Sequence, residues 1–290
     1  MNVSVWVDGA LVDADTPAIS PLDHGVTVGD GVFETLEARD GVPFALERHL
    51  RRLEYSADRM GLAPVDLSAV RAGVDAVRGV VGDGITRVRI TVTSGGGPLS
   101  SVRGPGPQTV VVVGSDGPAP ERCRAVRSPW RRNERSAIAG VKSTSYAENA
   151  VMAAYAAQRG ADEAIMANTL GHLCEGTGTN VFVERQGEIV TPPLASGCLA
   201  GITRGLALEW GAGAGMPVRV AAPGELDMSV LDEAIAGDAH LAVTSSTRGV
   251  QHIERIDGTD LAPGPLLTRL AALYERRADA DHDPVPPRSR

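Results

Sequence analysis

The chain is expected to fold as two domains of mixed strands and helices, on three observations. Its 290 residues exceed the usual size of one domain. Apolar residues recur at strand spacing in some stretches and at helix spacing in others. A Gly/Pro-rich stretch at 114–120 interrupts the pattern well before the midpoint. This gives a small first domain at 1–117, a linker at 118–122, a larger second domain at 123–278 and a charged, Pro-rich disordered tail at 279–290.

In the first domain, Val3, Val5 and Val7 share one strand face, and Asp8-Gly9 turns the chain back through residues 10–12. Residues 23–31 are too glycine-rich for a regular element and read as a loop open to close approach. A hairpin follows over 32–46, turning at Asp40-Gly41. Leu46, Leu50, Leu53, Ala57 and Met60 then fall at helical spacing, with Gly61 as the stop and His49, Arg52 and Ser56 on a neighbouring face. Asp66 opens a helix to about Val81, and residues 87–93 alternate as a strand. Residues 94–107 form a mobile loop suited to close over a site. The continuous run 110–113 reads as a strand covered on both faces.

In the second domain, a strand begins at Ala125, and the arginines of 130–135 read as a solvated connector. An Ala-rich helix spans 146–159, a strand 163–166, and a hairpin 181–190 turns at Gln186-Gly187. A helix runs from Gly201 to about Trp210; its first N–H groups, behind a glycine, make an anion site. Strands at 218–221, 241–245 and 250–256, with a helix between the first two, and a helix at 265–277 complete the reading.

Hydrophobic residues make up 43% and charged residues 22%, as in ordinary globular proteins. Aromatics are only 3%, so Ala and Val fill the core. The net charge of -8 argues against a general nucleic-acid surface. The three cysteines have no C-x-x-C spacing, which gives no metal signature and suits a reducing compartment. No apolar run approaches the ~20 residues that cross a bilayer, and the start lacks the form of a signal peptide. A cytoplasmic protein is expected.

The chemistry concentrates in two places. Lys142 stands in Gly140-Val141-Lys142-Ser143-Thr144-Ser145-Tyr146, in a chain that otherwise uses arginine. A desolvated lysine amine forms Schiff bases with aldehydes. Glu175-Gly176-Thr177-Gly178-Thr179-Asn180 delivers a carboxylate and an amide through a glycine turn into an apolar strand. With the Gly201-Ile202-Thr203 helix start and the hydroxyls of Thr244-Ser245-Ser246-Thr247, these groups complement an aldehyde, a basic ring nitrogen and a phosphate. Those three groups describe pyridoxal 5′-phosphate.

The sequence resembles the class IV pyridoxal-phosphate aminotransferases, which include D-amino-acid and branched-chain aminotransferases and aminodeoxychorismate lyase. The family signature is met at Glu175, Thr177, Asn180, Val181 and Phe182, at Ile189 and Thr191, and at Leu199, Gly201, Ile202 and Arg204. The resemblance extends from Asp23-His24-Gly25 to Thr247. It implies an α+β fold of type IV, with a small N-terminal α+β domain, a larger barrel-like C-terminal domain and the cofactor between them. It also implies a homodimer.

By that resemblance Lys142 holds the cofactor and shuttles the proton. Glu175 pairs with the ring nitrogen, Tyr146 hydrogen-bonds the ring oxygen, and Asn180 belongs to the cofactor site. Arg52, Ile202, Thr203, Thr247 and Ser246 hold the phosphate. Val26, Val28, Phe33, Arg103 and Arg248 are the expected substrate contacts.

Three activities compete. Transaminases of D-amino acids carry Thr-Arg-Gly where this chain has Thr93-Ser94-Gly95, which leaves Arg103 and Arg248 as carboxylate readers. Branched-chain enzymes have an aromatic where Val26 and Val28 stand. The lyases show Lys-Thr-Thr-Ser-Tyr and Ser-x-x-Arg-Gly, close to Lys142-Ser143-Thr144-Ser145-Tyr146 and Ser245-Ser246-Thr247-Arg248-Gly249. The preferred reading is a transaminase moving an amino group from D-amino acids or (R)-amines to pyruvate or 2-oxoglutarate. The lyase is the alternative, the branched-chain activity ranks below both, and a non-catalytic phosphate-binding module would have no use for Lys142.

Overall fold

The computed structural model describes residues 2–285. The fold is α+β, in two compact units. The first holds the chain up to Ala119, Val141–Tyr146 and the described residues from Asp281; the second holds Pro120–Gly140 and Ala147–Ala280.

The first unit starts with the hairpin of β1 (Val3–Val7) and β2 (Ala10–Val12), where Asp8 and Gly9 both take positive φ. Residues 23–31 differ from the expected loop: α1 (His24–Thr27) forms a single turn because the Asp23 carboxylate accepts the Gly25 N–H at 2.7 Å. β3 (Gly31–Arg39) turns through Asp40 and Gly41 into β4 (Val42–Pro43). The return strand stops at Pro43, and Ala45, in the left-handed region, redirects the chain into α2 (Leu46–Arg59). α3 (Leu67–Val81) is capped by Asp66, which accepts the N–H groups of Ser68 and Ala69. β5 (Arg87–Thr93) and β6 (Thr109–Ser115) complete a six-stranded sheet of order β2-β1-β6-β5-β3-β4, antiparallel throughout. The apolar stripes of α2 (Leu50, Leu53, Ala57) and α3 (Val70, Val74, Val77) cover Leu36, Val88, Ile90 and Val112. β6 is not covered on both faces as its apolar run suggests: Val110 and Val112 are buried, while Val111 and Val113 are half-buried.

Glu34, on β3, is fully buried beneath α2. It accepts hydrogen bonds from Arg52 Nε (2.8 Å), Arg52 Nη2 (2.6 Å) and His49 Nδ1 (2.6 Å). Burial alone would push its pKa up; the charge and hydrogen bonds of Arg52, helped by His49, outweigh it and hold Glu34 at about 2. Burial pushes the His49 pKa down against the pull of Glu34, so the imidazole is neutral and donates through Nδ1.

The segment Val141–Tyr146 belongs to the first unit, although the sequence places it in the second domain. It lies along the start of β3: Phe33 N–H donates to Lys142 O (2.9 Å), Thr144 N–H donates to Gly31 O (2.8 Å), and Ser143 bridges Val32. The chain end also returns. Ala45 N–H donates to His282 O (2.7 Å), Glu47 N–H to Asp283 Oδ1 (3.0 Å) and Arg48 Nε to Pro284 O (2.6 Å). The tail expected to be disordered from Asp279 is therefore docked through Pro284; residues 286–290 lie outside the described residues.

The second unit has two five-stranded sheets. One joins β7 (Arg124–Arg132), β8 (Glu163–Asn168), β9 (Leu173–Glu175), β15 (Arg255–Ile256) and β16 (Thr259–Asp260) in the order β16-β15-β7-β8-β9. The other joins β10 (Asn180–Arg185), β11 (Glu188–Thr191), β12 (Val218–Val220), β13 (His240–Ser245) and β14 (Gly249–His252) in the order β12-β11-β10-β13-β14. The helices are α4 (Ala147–Gln158), α5 (Ile202–Gly213), α6 (Val230–Ala236) and α7 (Pro265–Ala280). β7 extends through Arg131 and Arg132, so the expected solvated arginine connector is in part a strand. Among the described residues no helix is long and apolar enough to cross a membrane.

The depressed pKa of Glu34 gives a pH-dependent stability. A carboxylate whose pKa is lower in the folded state stabilises above its ordinary value of 4.5 and loses that contribution as pH falls to about 2. Glu34→Gln should lower the unfolding free energy at neutral pH by roughly 3 kcal/mol. In urea titrations the gap from wild type should close as pH falls through this window; a constant gap would contradict the ion pair.

Candidate functional site

In the first unit the side chains of Lys142, Phe33, Tyr146 and Arg89 meet. Lys142 Nζ stands 4.4 Å from the centroid of the Phe33 ring and 6.0 Å from that of Tyr146. The two rings meet edge to face at 5.2 Å. The Arg89 guanidinium also lies over Phe33, at 3.9 Å. An amine and a second cation thus share one aromatic ring. The backbone holds Lys142 firmly: its carbonyl accepts from Phe33, and its N–H donates to the buried Ser56 hydroxyl at 3.3 Å. Arg52, the expected phosphate ligand, is fixed by Glu34 through two donors of its planar fork.

In the second unit the glycine turn joins β9 to β10. Glu175, 8% exposed, receives the Leu199 N–H on Oε2 (2.9 Å) and faces Arg132 Nε through Oε1 (3.3 Å). Asn180 donates from Nδ2 to Leu199 O (2.9 Å), and its Oδ1 lies 2.1 Å from where a Cβ on Gly201 would stand. Both signature residues therefore grip the strand of chain that leads into α5. That helix begins at Gly201 without a side-chain cap, which leaves the N–H groups of its first turn, at Ile202 and Thr203, for an anion. Ser246 and Thr247 lie in the turn between β13 and β14, partly exposed, with Thr247 Oγ1 3.4 Å from Ser245 Oγ. The Thr244 hydroxyl, beside Asn180 in the sheet register, is buried without a hydrogen-bond partner.

Two expected carboxylate readers are engaged elsewhere. Arg103 binds Asp30 through Nε (2.7 Å) and Nη2 (2.8 Å) and caps α2 at Gly61 O (2.5 Å) and Met60 O (2.8 Å). With His24 Nε2 on Pro98 O (2.9 Å), it ties down the loop expected to be mobile. Arg248 donates to Arg122 O (2.7 Å) and Gln251 Oε1 (2.6 Å). Val26 and Val28 are 64% and 44% exposed.

Three residues escaped the sequence reading. Arg89 shares a sheet face with Phe33, because Phe33 pairs with Thr91 and Thr35 pairs with Arg89; the alternation of β5 was legible, its register was not. Arg132 was hidden in a run of arginines. Glu163 looked like the first residue of an ordinary strand.

The first unit thus holds a primary amine and a fixed guanidinium, and the second a buried carboxylate paired with an arginine and an uncapped helix start; these are the kinds of group that the aldehyde, phosphate and ring nitrogen of pyridoxal phosphate call for. The family model described as amino-transferase class IV matches residues 31–256. A putative branched-chain-amino-acid aminotransferase of Methanocaldococcus jannaschii is 30% identical over 269 residues, covering 88% of each chain. A bifunctional aminodeoxychorismate lyase / D-amino acid transaminase of Mycobacterium tuberculosis is 31% identical over 222 residues, covering 69% of this chain and 75% of its own. The pyridoxal-phosphate-bound structure of a hypothetical aminotransferase from Mycobacterium tuberculosis superposes with a TM-score of 0.80 at 26% identity, over 94% of this chain and 98% of that one.

Gly201→Ala should push Asn180 away from α5, since the added Cβ would meet Asn180 Oδ1 well inside contact distance. Affinity for pyridoxal phosphate, titrated into the apoprotein, should fall roughly 10- to 100-fold, the range of a 1.5–3 kcal/mol loss. Unchanged affinity would remove this helix start from the site.

Proposed function

Because the chain belongs to the class IV aminotransferases, whose cofactor is pyridoxal phosphate, we propose that it transfers an amino group from D-amino acids or (R)-primary amines to pyruvate or 2-oxoglutarate. A cytoplasmic homodimer is part of this reading. Its single strongest support is the placement of Arg89 and Lys142 on one Phe33 ring. Among the described residues no carboxylate pairs with Arg89. A donor with its amino group near Lys142 would find a partner for its carboxylate there, which favours amino acids over amines without one.

When bound, pyridoxal phosphate supplies an aldehyde that captures the amino group and a ring that accepts the electron pair left when the α-proton departs. In this reading Lys142 holds the cofactor and then moves the proton at the donor's Cα. Glu175, held by Arg132 and Leu199, keeps the ring nitrogen protonated, and Tyr146 hydrogen-bonds the ring oxygen. Arg52, the first turn of α5 at Ile202 and Thr203, and the Ser246-Thr247 turn hold the phosphate. Asn180 sets the height of that helix start.

The lyase reading draws on hydroxyls that have structural work elsewhere. Thr144 Oγ1 and Ser145 Oγ both donate to Gly29 O at 2.8 Å, and Arg248 is tied to backbone and Gln251. These engagements favour transamination.

Adding D-alanine to the holoenzyme without a keto acid should convert the cofactor's visible absorption to the near-ultraviolet band of its amine form. An unchanged spectrum, with pyruvate released from aminodeoxychorismate, would transfer the assignment to the lyase.

Arg89→Ala should lower kcat/KM for D-alanine roughly 10- to 100-fold, the loss of one charged hydrogen-bond partner. Steady-state rates with (R)-1-phenylethylamine should stay within about twofold, since that donor has no carboxylate. Equal losses on both donors would deny Arg89 the carboxylate role.

A further inference from the structure

Glu163 is 3% exposed, at the first position of β8, and no step above uses it. Its carboxylate is the anchor of the glycine turn. Oε1 accepts the Thr177 N–H (2.6 Å), the Thr177 hydroxyl and its neighbour's N–H at Ala164 (3.2 Å); Oε2 accepts the Thr179 hydroxyl (2.9 Å). The packing is close enough that a Cβ on Gly176 would stand 2.8 Å from Glu163 Cδ. A carboxylate this deep stays only if its lone pairs are filled, and here neutral donors fill them, three from the turn and one from Ala164.

That turn separates the two signature residues. Glu175 precedes Gly176 and Asn180 follows Thr179, so the distance between their side chains depends on how the turn is held. A second set of bonds closes the network: the Asn149 amide donates to Thr177 O, Arg132 Nη2 donates to Asn149 Oδ1 (3.3 Å), and Arg132 Nε faces Glu175 (3.3 Å). Glu163 thus fixes one end of a chain of contacts whose other end is the carboxylate of Glu175.

We propose that Glu163 is a positioning residue for Glu175: by clamping Thr177 and Thr179 it sets where the Glu175 carboxylate stands and so whether the cofactor's ring nitrogen keeps its proton. This rests on the cofactor reading above and extends it to a residue outside the signature.

The test uses holoenzyme reconstituted with pyridoxal phosphate labelled with 15N in the ring, and reads the ring-nitrogen NMR signal together with kcat and KM. Glu163→Gln keeps the volume but replaces an acceptor with a donor facing the turn. It should move the signal toward the unprotonated ring and lower kcat about 10- to 100-fold, the cost of a small misplacement at the reacting group, while KM stays within about twofold. Thr179→Val, which removes only the donor to Oε2, should move both in the same direction by less. Wild-type signal and kcat in Glu163→Gln would overturn the proposal, as would a fall in soluble protein whose folded fraction keeps the wild-type signal. Glu175→Gln separates the two layers. If it shifts the signal and Glu163→Gln does not, only the positioning role fails; if Glu175→Gln itself leaves the signal unmoved, the placement of Glu175 on the ring nitrogen fails.

Discussion

Burying a carboxylate costs several kcal/mol unless opposite charge and hydrogen bonds replace the lost water. Glu34 meets that condition through two donors of the Arg52 fork and a neutral His49, and much of the first unit's arrangement follows from it. The pair joins β3 to α2 and holds the guanidinium in one orientation before any ligand arrives. The neighbouring residue on the same strand does the complementary task. Strand alternation turns Phe33 to the opposite face, where its ring carries Lys142 and Arg89, and its N–H holds the Lys142 carbonyl. Two consecutive residues of β3 therefore fix a guanidinium on one face of the strand and an amine on the other.

The second unit reaches comparable rigidity by other means. Glu163 is compensated by neutral hydroxyl and amide donors, while Glu175 meets an arginine and the Leu199 N–H. Arg132 Nε stands 3.3 Å from Glu175 Oε1, farther than either Arg52 donor stands from Glu34. Two glycines are there for approach: Gly176, in the turn, leaves room for the Glu163 carboxyl, and Gly201, at the start of α5, leaves room for the Asn180 amide.

What the sequence disclosed was local. Asp8-Gly9 and Asp40-Gly41 took the positive φ values that such pairs favour, and both hairpins formed around them. The stripe from Leu46 gave α2, and Asp66 gave the cap of α3. The signature placed Glu175 and Asn180 at opposite ends of one turn. What escaped depends on long-range pairing. Lys142 lies on a segment that returns to the edge of β3, and no local pattern encodes that return. Arg89 became visible only with the register of β3 on β5. The turn α1 was missed because one Asx cap outweighed the glycines around it, and the docking of the tail because its partners are N–H groups of α2's first residues, more than two hundred positions away.

The arginines show why composition alone does not name a substrate. In sequence Arg52, Arg103 and Arg248 read as ligands for an anionic group, and Arg132 as part of a solvated connector. The fold assigns three of them to acceptors of the chain itself: Arg103 to Asp30 and the end of α2, Arg132 to Glu175, and Arg248 to a carbonyl and an amide. Arg52 is held by Glu34 through two donors of its fork. Arg89 differs in resting on an aromatic face, where a cation is stabilised without its hydrogen-bond donors being consumed. Its five N–H donors therefore retain their capacity for a planar, bidentate acceptor. A carboxylate is such an acceptor.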